Sequence, residues 1–261
     1  GRQVSANHHA VAVADGGVEA PISDDGDGSC ALISMDMVDG DTRWTYGIPS
    51  ENCTIHAVAD PTVTDVDSDG QNEVLAATTE KEVAILDTNS GDIETRLNLS
   101  DYGYTQPIVA DLAPTTGQEI IAVDVTGTVF VFGSDGTTLW TASLNEYVWA
   151  QPTVEDFDRD SRPELLVGGQ NGNAVLFGHN GTVEWNTTVS DKGSITWGTH
   201  GQADEDSALE SFFATTGGDI VAVDGRFGSV EWRTCSGELV DVRALGAADT
   251  AGAYEVYAKT Q

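Results

Sequence analysis

Basic residues are scarce in this sequence. It has 11 Lys and Arg, of which three are lysines, against 43 Asp and Glu in 261 residues, so the formal net charge is −32. Nucleic acid and an acidic membrane surface are excluded as expected partners, because both would be repelled and no Lys/Arg cluster attracts them locally. The sign of the charge points to cations instead.

Long apolar runs and cysteines are also scarce. No run of about 18 apolar residues occurs, so we expect no direct membrane insertion of this chain. The three cysteines, Cys30, Cys53 and Cys235, are too few for a disulfide scaffold and lack the paired spacing of a zinc site. Cys30 and Cys53 could form a bridge inside one repeat, and the alternative is reduced cysteines in the core.

The remaining composition resembles that of proteins from halophilic archaea. Asp outnumbers Glu, Lys is rare, and the aliphatic side chains are mostly Val and Ala. In molar salt the Debye length falls to about 3 Å, which screens the repulsion within so acidic a chain. We therefore expect instability in dilute buffer. Apolar residues make up 39% and recur in β-type runs, which indicates a globular chain.

A repeat with a period in the mid-forties organises the chain. Pro61, Pro107 and Pro152 open equivalent segments 46 and 45 residues apart, and a fourth copy begins near Trp197. Each copy has a short strand, an acidic loop, two apolar strands, a Gly turn and a last strand. Because no helical periodicity occurs, the sequence predicts an all-β propeller of four-stranded antiparallel blades.

The turn before the last strand has a fixed spacing of Gly and Trp. We expect each glycine to adopt positive φ and each tryptophan to pack on the neighbouring blade. The pairs are Gly40 with Trp44, Gly136 with Trp140, Gly181 with Trp185, and Gly228 with Trp232.

About six blades are predicted in a single domain of residues 1–261. In one register the N-terminal segment HAVAVADGG forms the outer half of the last blade and closes the ring, which removes exposed sheet edges. In the other it is an inner strand of the first blade. The first register is preferred, and its approximate blades are 18–57, 58–104, 105–149, 150–196, 197–241, and 242–261 with 1–17.

These repeats resemble two propeller families. The strand, DxDxDG loop and strand unit is similar to the FG-GAP repeats of integrin α-chain propellers, and the Gly-x-x-x-Trp turns resemble quinoprotein-type (PQQ-like) repeats of outer-membrane assembly propellers. The likeness covers nearly the whole chain at the level of the repeat. It implies fold far better than function.

The loop DVDSDGQNEV is the first candidate calcium site. Ca²⁺ takes about six to eight oxygen ligands, and alternate side chains of a tight loop can supply them where glycine lets the chain reverse. An EF-hand is excluded because Ala76 stands at its twelfth position, inside a β run. The nine-residue FG-GAP loop is the better match. The predicted ligands are Asp65, Asp67, Asp69, the carbonyl near Gln71, and Glu73.

Other copies repeat this loop to different degrees. A second site is predicted at Asp156, Asp158, Asp160 and Glu164, with Ser161 in place of glycine, and a third at Asp204, Asp206 and Glu210. The copies from Asp111 to Glu119 and from Ala247 to Glu255 have lost acids, so we expect no metal there. The loop with Asp24, Asp25 and Asp27 lacks the last acid and is a less certain site.

Glutamine and aromatic side chains recur where successive inner strands begin. In a propeller these positions gather around one mouth of the central channel, where they could stack sugars or anchor a protein loop. The alternative is that the aromatics plug the channel. The residues are Tyr104, Gln106, Trp149, Gln151 and Trp197. Four sequons are compatible with a glycoprotein, at Asn52, Asn98, Asn180 and Asn186.

No catalytic motif is apparent, and no catalytic residue is predicted. The sequence predicts a non-enzymatic calcium-binding propeller of a halophile, extracellular or at the cell surface, that acts as an adhesion or scaffold module with a protein or glycan partner. Any export signal or anchor is expected outside this chain. One alternative is a PQQ-dependent dehydrogenase, although that class generally has more blades and a vicinal cysteine pair. Another is a propeller fragment of a larger surface enzyme.

Overall fold

The structure of the protein is a computed structural model. It describes residues 12–14, 17–19, 30–36, 38–48, 59–115, 117–191, 193–204, 206–235, 245–250 and 253–258. Side chains are described within 31–235, apart from the gaps and residues 48 and 197.

The described residues form strands joined by turns. None of them forms a helix with the length and apolarity needed to cross a membrane. The strands are β1 (Ala12–Ala14), β2 (Gly17–Glu19), β3 (Cys30–Met35), β4 (Thr42–Ile48), β5 (Thr62–Thr64), β6 (Glu73–Thr78), β7 (Glu82–Asp87), β8 (Ile93–Asn98), β9 (Ile108–Ala110), β10 (Glu119–Val123), β11 (Thr128–Phe132), β12 (Thr138–Ser143), β13 (Thr153–Glu155), β14 (Glu164–Gly168), β15 (Asn173–Phe177), β16 (Val183–Thr188), β17 (Ile195–Gly201), β18 (Glu210–Thr215), β19 (Asp219–Asp224), β20 (Val230–Cys235), β21 (Leu245–Thr250) and β22 (Ala253–Ala258).

Four antiparallel sheets each contain four strands in sequence order: β5 to β8, β9 to β12, β13 to β16, and β17 to β20. Their two middle strands are the apolar pairs of the repeat. In β6, β14 and β18 every residue is buried, because both faces of a middle strand are covered. The outermost strands alternate or are exposed, as β16 and β20 show. These sheets are the predicted blades.

Three further sheets have two strands each among the described residues: β1 with β2, β3 with β4, and β21 with β22. Val13 of β1 pairs with Val18 of β2. This local hairpin is compatible with both predicted registers of the N-terminal segment. The blade boundaries and the number of blades stay predictions.

The chain divides into two compact units. The first contains residues 1–111 and 115–141, and the second contains 112–114 and 142–261. In the first unit a cluster around Leu75, Val83 and Ile120 fills the space between two sheets. In the second unit a cluster around Phe157, Leu176 and Phe213 does the same. Each core therefore lies between blades, where apolar faces are removed from water.

Two of the repeated tryptophans pack on the next sheet of their own unit. The Trp44 indole Nε1 donates to the carbonyl of Thr88 at 2.8 Å, and Trp185 Nε1 donates to that of Gly225 at 2.8 Å. A Cβ on Gly91 would lie 2.6 Å from the Trp44 ring. The expected positive φ is present at Gly40, Gly136, Gly181 and Gly228. The Gly-x-x-x-Trp pattern is therefore architectural at Trp44 and Trp185, whereas Trp232 is 39% exposed.

Candidate metal centres

The three acidic loops occupy the same place in three sheets. Each connects the first strand to the second: β5 to β6, β13 to β14, and β17 to β18. The last acid of each loop is the first residue of the second strand, at Glu73, Glu164 and Glu210. Because that strand is buried on both faces, the glutamates are 3%, 2% and 0% exposed.

A backbone amide fixes each buried glutamate. Glu73 Oε2 accepts from the amide of Val66 at 2.8 Å, and Glu164 Oε2 accepts from that of Phe157 at 2.8 Å. Glu210 Oε2 accepts from the amide of Ala203. The donor is always seven residues earlier, directly after the first acid position of the loop. One carboxylate oxygen thus pins the loop, and the other remains for a ligand.

The first loop folds its aspartates around their own backbone. Asp65 accepts from the amides of Asp69 and Gly70 at 3.1 and 3.0 Å, and Asp67 accepts from that of Asp69 at 3.1 Å. Gly70 makes the reversal at φ 91°. One carboxylate oxygen from each of Asp65, Asp67 and Glu73 lies within 4.8 Å of the others. This spacing suits oxygens around one cation.

Asp69 and Gln71 lie together beside this group. Asp69 Oδ1 accepts from the Gln71 amide at 2.7 Å, and Asp69 Oδ2 accepts from the Gln71 side chain at 3.3 Å. The close group of this loop contains Asp65, Asp67 and Glu73, without Asp69.

The second loop brings all four of its predicted acids together: Asp156, Asp158, Asp160 and Glu164. Its hydrogen bonds match those of the first loop, since Asp156 accepts from the amides of Asp160 and Ser161, both at 3.0 Å. Ser161 takes the glycine position at φ 71°. The loop therefore keeps the conformation of the first at the expense of a strained serine.

The third loop is built differently at its first position. Gln202 stands where the other loops have aspartate, and its side chain donates to the carbonyls of Asp204 and Asp206 at 3.2 and 2.8 Å. Carboxylate oxygens of Asp204, Asp206 and Glu210 still lie within 4.8 Å of one another. The group has three acids, as its sequence predicts.

Burial and mutual repulsion act together on the buried glutamates. Burial, followed by repulsion from Asp67 and other nearby acids, raises the pKa of Glu73 to about 7. The same causes raise the pKa of Glu164 to about 8 and shift that of Glu210 upward. A divalent cation would reverse this cost, because it favours the charged form of every carboxylate it contacts.

The degenerate loop from Asp111 to Glu119 satisfies its glutamate internally. The Thr115 hydroxyl donates to Glu119 Oε1, in the space that acids border in the other loops. Asp249 and Glu255 lie on β21 and β22, of which only the backbone is described. Asp24, Asp25 and Asp27 lie outside the described residues.

The predicted aromatic and glutamine positions are partly described. In the first unit Tyr104 is half-buried, and Gln106 donates from Nε2 to the carbonyl of Pro61 at 3.1 Å. In the second unit Trp149 is 52% exposed. Gln151 is half-buried, and the side chain of Trp197 is not described.

The sequons and cysteines are described in part as well. Asn98, Asn180 and Asn186 are exposed, and Asn180 Oδ1 accepts from the amide of Thr182 at 3.1 Å. Asn52 and Cys53 lie outside the described residues, so the predicted bridge to Cys30 does too. Cys235 is exposed and free.

One feature of the loops went unnoticed in the sequence. A glutamate on the outermost strand lies close to each acidic loop, at Glu94, Glu184 and Glu231. The signal was available: the residue three after the turn glycine is Glu in the three sheets with an acidic loop, but Leu139 or Arg43 in the others.

Comparison with known proteins identifies the fold but no family. No protein-family model matches the chain, and no curated protein matches it significantly. Among solved structures it resembles the V. cholerae biofilm matrix protein Bap1, with a TM-score of 0.64 and 20% identity over 85% of this chain and 37% of that one. It also resembles BamB from Moraxella catarrhalis, with a TM-score of 0.62 and 20% identity over 87% of this chain and 63% of that one.

A third structure, of BBS1N in complex with ARL6DN, has a TM-score of 0.56 and 12% identity over 94% of this chain and 72% of that one. These propeller neighbours, together with the four-stranded antiparallel sheets, define the class: a multi-blade β-propeller. The chain spans less than two thirds of the length of the Bap1 and BamB structures. Kinship with FG-GAP repeats or with haloarchaeal proteins stays a prediction.

Proposed function

We propose that this propeller binds calcium ions in its three acidic loops and acts, without catalysis, as an adhesion or scaffold module. One observation carries the proposal: equivalent loops in three sheets each bring a buried glutamate and at least two aspartates within 4.8 Å. A chance cluster of surface acids would not recur at the same position of a repeat. The first group is Asp65, Asp67 and Glu73, the second is Asp156, Asp158, Asp160 and Glu164, and the third is Asp204, Asp206 and Glu210.

The donor set selects the kind of cation. Every side chain in the three close groups offers a carboxylate oxygen, which suits hard cations such as Ca²⁺ and Mg²⁺ rather than zinc or copper. Ca²⁺ accepts irregular coordination by several carboxylates, whereas Mg²⁺ demands a near-ideal octahedron and retains water. Loops that gather three or four carboxylates in an irregular turn therefore favour Ca²⁺.

The bound ion has a structural role in this proposal. The loop joins the first two strands of its sheet, and its glutamate already belongs to the buried second strand. A cation would offset the burial and the repulsion that raise the pKa of Glu73 and Glu164, and so hold the loop against the sheet. In this proposal the carboxylates of each group serve as metal ligands, and no catalytic role is assigned to them.

An extracellular or cell-surface setting in a halophile follows from charge and ion supply. A net charge of −32 suits concentrated salt, and millimolar calcium outside cells can fill modest sites. Bap1 is a biofilm matrix protein, and BBS1N is seen bound to ARL6DN, which supports a protein partner for this chain. A glycan is the alternative partner. Chelator-sensitive capture of a membrane partner in high salt is expected, and capture that ignores chelator would contradict it.

A double substitution tests the calcium proposal. Asp67→Ala combined with Asp158→Ala removes one predicted ligand from each of two loops. At a hundredfold excess over Kd one bound ion adds about 2.7 kcal/mol, or about 5–10 °C in Tm for a domain of this size. We expect the calcium-dependent rise in Tm to shrink by about that amount per damaged loop, measured by calorimetry in molar KCl.

Asp111→Ala in the degenerate loop is the matched control, since it removes an equivalent acid where no ion is expected. Its calcium response should equal that of the wild type. If the double variant and the wild type respond alike, the assignment is wrong.

A further inference from the structure

A β-bulge recurs at the same position of the outermost strand. The pairing of β7 with β8 skips Glu94, that of β15 with β16 skips Glu184, and that of β19 with β20 skips Glu231. Such an extra residue has no partner across the ladder, and the bulge re-aims its side chain. The position is thus available for a purpose other than strand pairing.

The residue at this position changes with the loop. In the three sheets whose loop carries the acidic group it is glutamate. In the sheet with the degenerate loop the equivalent residue is Leu139, whose Cδ2 lies 3.8 Å from the Cβ position of Gly133. In the β3 and β4 pair it is Arg43, whose guanidinium binds Asp36 at 3.1 Å. Glutamate at the bulge and acids in the loop occur together.

The register places the bulged glutamate beside the buried one. Glu73 pairs with Asp87, and Glu210 with Asp224, on the strand that lies between the loop strand and the bulge. The pairing of Leu165 with Phe177 puts Gly178 opposite Glu164 in the remaining sheet. There, a Cβ on Gly178 would lie 2.5 Å from Glu184 Oε1, so the Glu184 carboxylate occupies the space that an aspartate fills in the other two sheets.

The pKa shifts of the bulged glutamates also indicate that they lie near the loop acids. Burial, then Asp158 and Asp160, raises the pKa of Glu184. For Glu231, burial and then Glu210 and the loop acids raise the pKa to about 7, although much of the side chain is exposed. Each bulged carboxylate therefore lies within the field of its loop and can approach from the solvent side.

An unpartnered oxygen points to a missing ligand in the third sheet. Glu210 is 0% exposed, and its Oε1 has no hydrogen-bond donor among the described residues, whereas its Oε2 is bound by Ala203. A buried carboxylate oxygen without a partner is costly. A cation between Glu210 and the loop aspartates would satisfy it. Gln202 takes the place of the first aspartate, so this loop offers one acid fewer than the second loop, and a further carboxylate would add to the oxygens that Ca²⁺ takes.

We propose that Glu94, Glu184 and Glu231 supply that carboxylate, so that each calcium ion is held by its loop and also by the outermost strand of the same sheet. The proposal rests on calcium binding by the loops. Its consequence is mechanical: one ion ties the connection of the first two strands to the fourth strand. A loop motif alone contains no ligand of this kind.

Glu184→Gln tests the proposal, because it removes charge at constant shape. We expect one of the Ca²⁺ affinities, measured by chelator competition in molar KCl, to fall at least about tenfold. Glu94→Gln should have the same effect on its own loop and gives a second, independent variant. Leu139→Gln alters the equivalent position of the degenerate sheet and should leave all affinities unchanged.

The number of water molecules bound to the ion shows whether Glu184 coordinates it or only packs beside the loop. With Eu³⁺ as the probe, luminescence lifetimes in H₂O and D₂O should show about one additional bound water at the altered site in Glu184→Ala, or about a third of a water per ion averaged over three sites, because water fills the vacated position. If the wild type binds Ca²⁺ while the glutamate variants keep its affinities and water count, the role of the outermost strand is refuted and the loop sites stand. If the wild type binds no Ca²⁺, both proposals fall.

Discussion

At the scale of single residues, the first two loops are alternative solutions to one conformational demand. The chain must reverse in the left-handed region after the third acid, and the first loop uses Gly70 at φ 91°. The second loop meets the same demand with Ser161 at φ 71°. A side chain in this region costs about 1–2 kcal/mol. Strain is therefore retained in the loop that gathers four acids.

Ser161→Gly should relieve this strain. We expect the free energy of unfolding in chelator to rise by about 1 kcal/mol, determined from denaturant titration in molar KCl. The reciprocal change Gly70→Ser should lower the free energy of unfolding by a similar amount, because the serine would adopt positive φ. No collision should add to this cost, since no atom lies within 4 Å of a Cβ at Gly70. A loss of stability in Ser161→Gly would mean that the serine side chain contributes more than its backbone costs.

At the scale of elements, the outermost strand of one sheet is fastened to the turn of the next. Trp44 packs on the turn at Gly91, and Trp185 packs on the turn at Gly228. Both glycines have positive φ, but the ring contact is a second reason for glycine there. The two reasons can be separated, because Gly40 has the same backbone conformation and no atom within 4 Å of its Cβ position.

Gly91→Ala should therefore destabilise more than Gly40→Ala. Both variants bear the cost of about 1–2 kcal/mol for φ. Gly91→Ala adds the collision with Trp44, which typically costs about 1–3 kcal/mol. Urea titration followed by tryptophan fluorescence measures both effects. Equal losses in the two variants would show that the indole moves aside without cost.

Strand order and loop position could be predicted from the sequence because they follow from period and alternation. The apolar runs EVLAA, EIIAV, ELLVG and ESFFA are all second strands of their sheets. Two features of the site were not predicted, although the second left a signal in the sequence. Asp69 is held by Gln71 through hydrogen bonds that its spacing does not reveal. Glu94, Glu184 and Glu231 approach the loops through a bulge, which breaks the two-residue alternation on which a reading of strands depends.

At the scale of the whole molecule, acidic residues affect stability through their burial as well as through the net charge. Salt screens repulsion between exposed carboxylates but does not restore the hydration of a buried one. The pKa of Glu73 is raised from 4.5 to about 7 and that of Glu164 to about 8, chiefly by burial. Between the ordinary and the raised values the folded protein binds more protons than the unfolded chain.

The stability of the protein in chelator should therefore fall as the pH rises from about 5 to about 8, since protons that stabilise the folded state are lost in that window. Saturating Ca²⁺ should remove or reverse this trend, because the metal requires deprotonated ligands. Denaturant titrations across this range, in low and in molar KCl, measure both effects. If high salt alone abolished the dependence, repulsion rather than burial would be its cause.

The contact of Trp44 with Thr88 and Gly91 makes the integrity of one repeat depend on its successor. Unfolding of the later sheet would expose the Trp44 indole of the earlier sheet to water, so it should also destabilise the sheet that precedes it in the chain. The fluorescence emission of Trp44 therefore reports on the integrity of the following sheet as well as on that of its own.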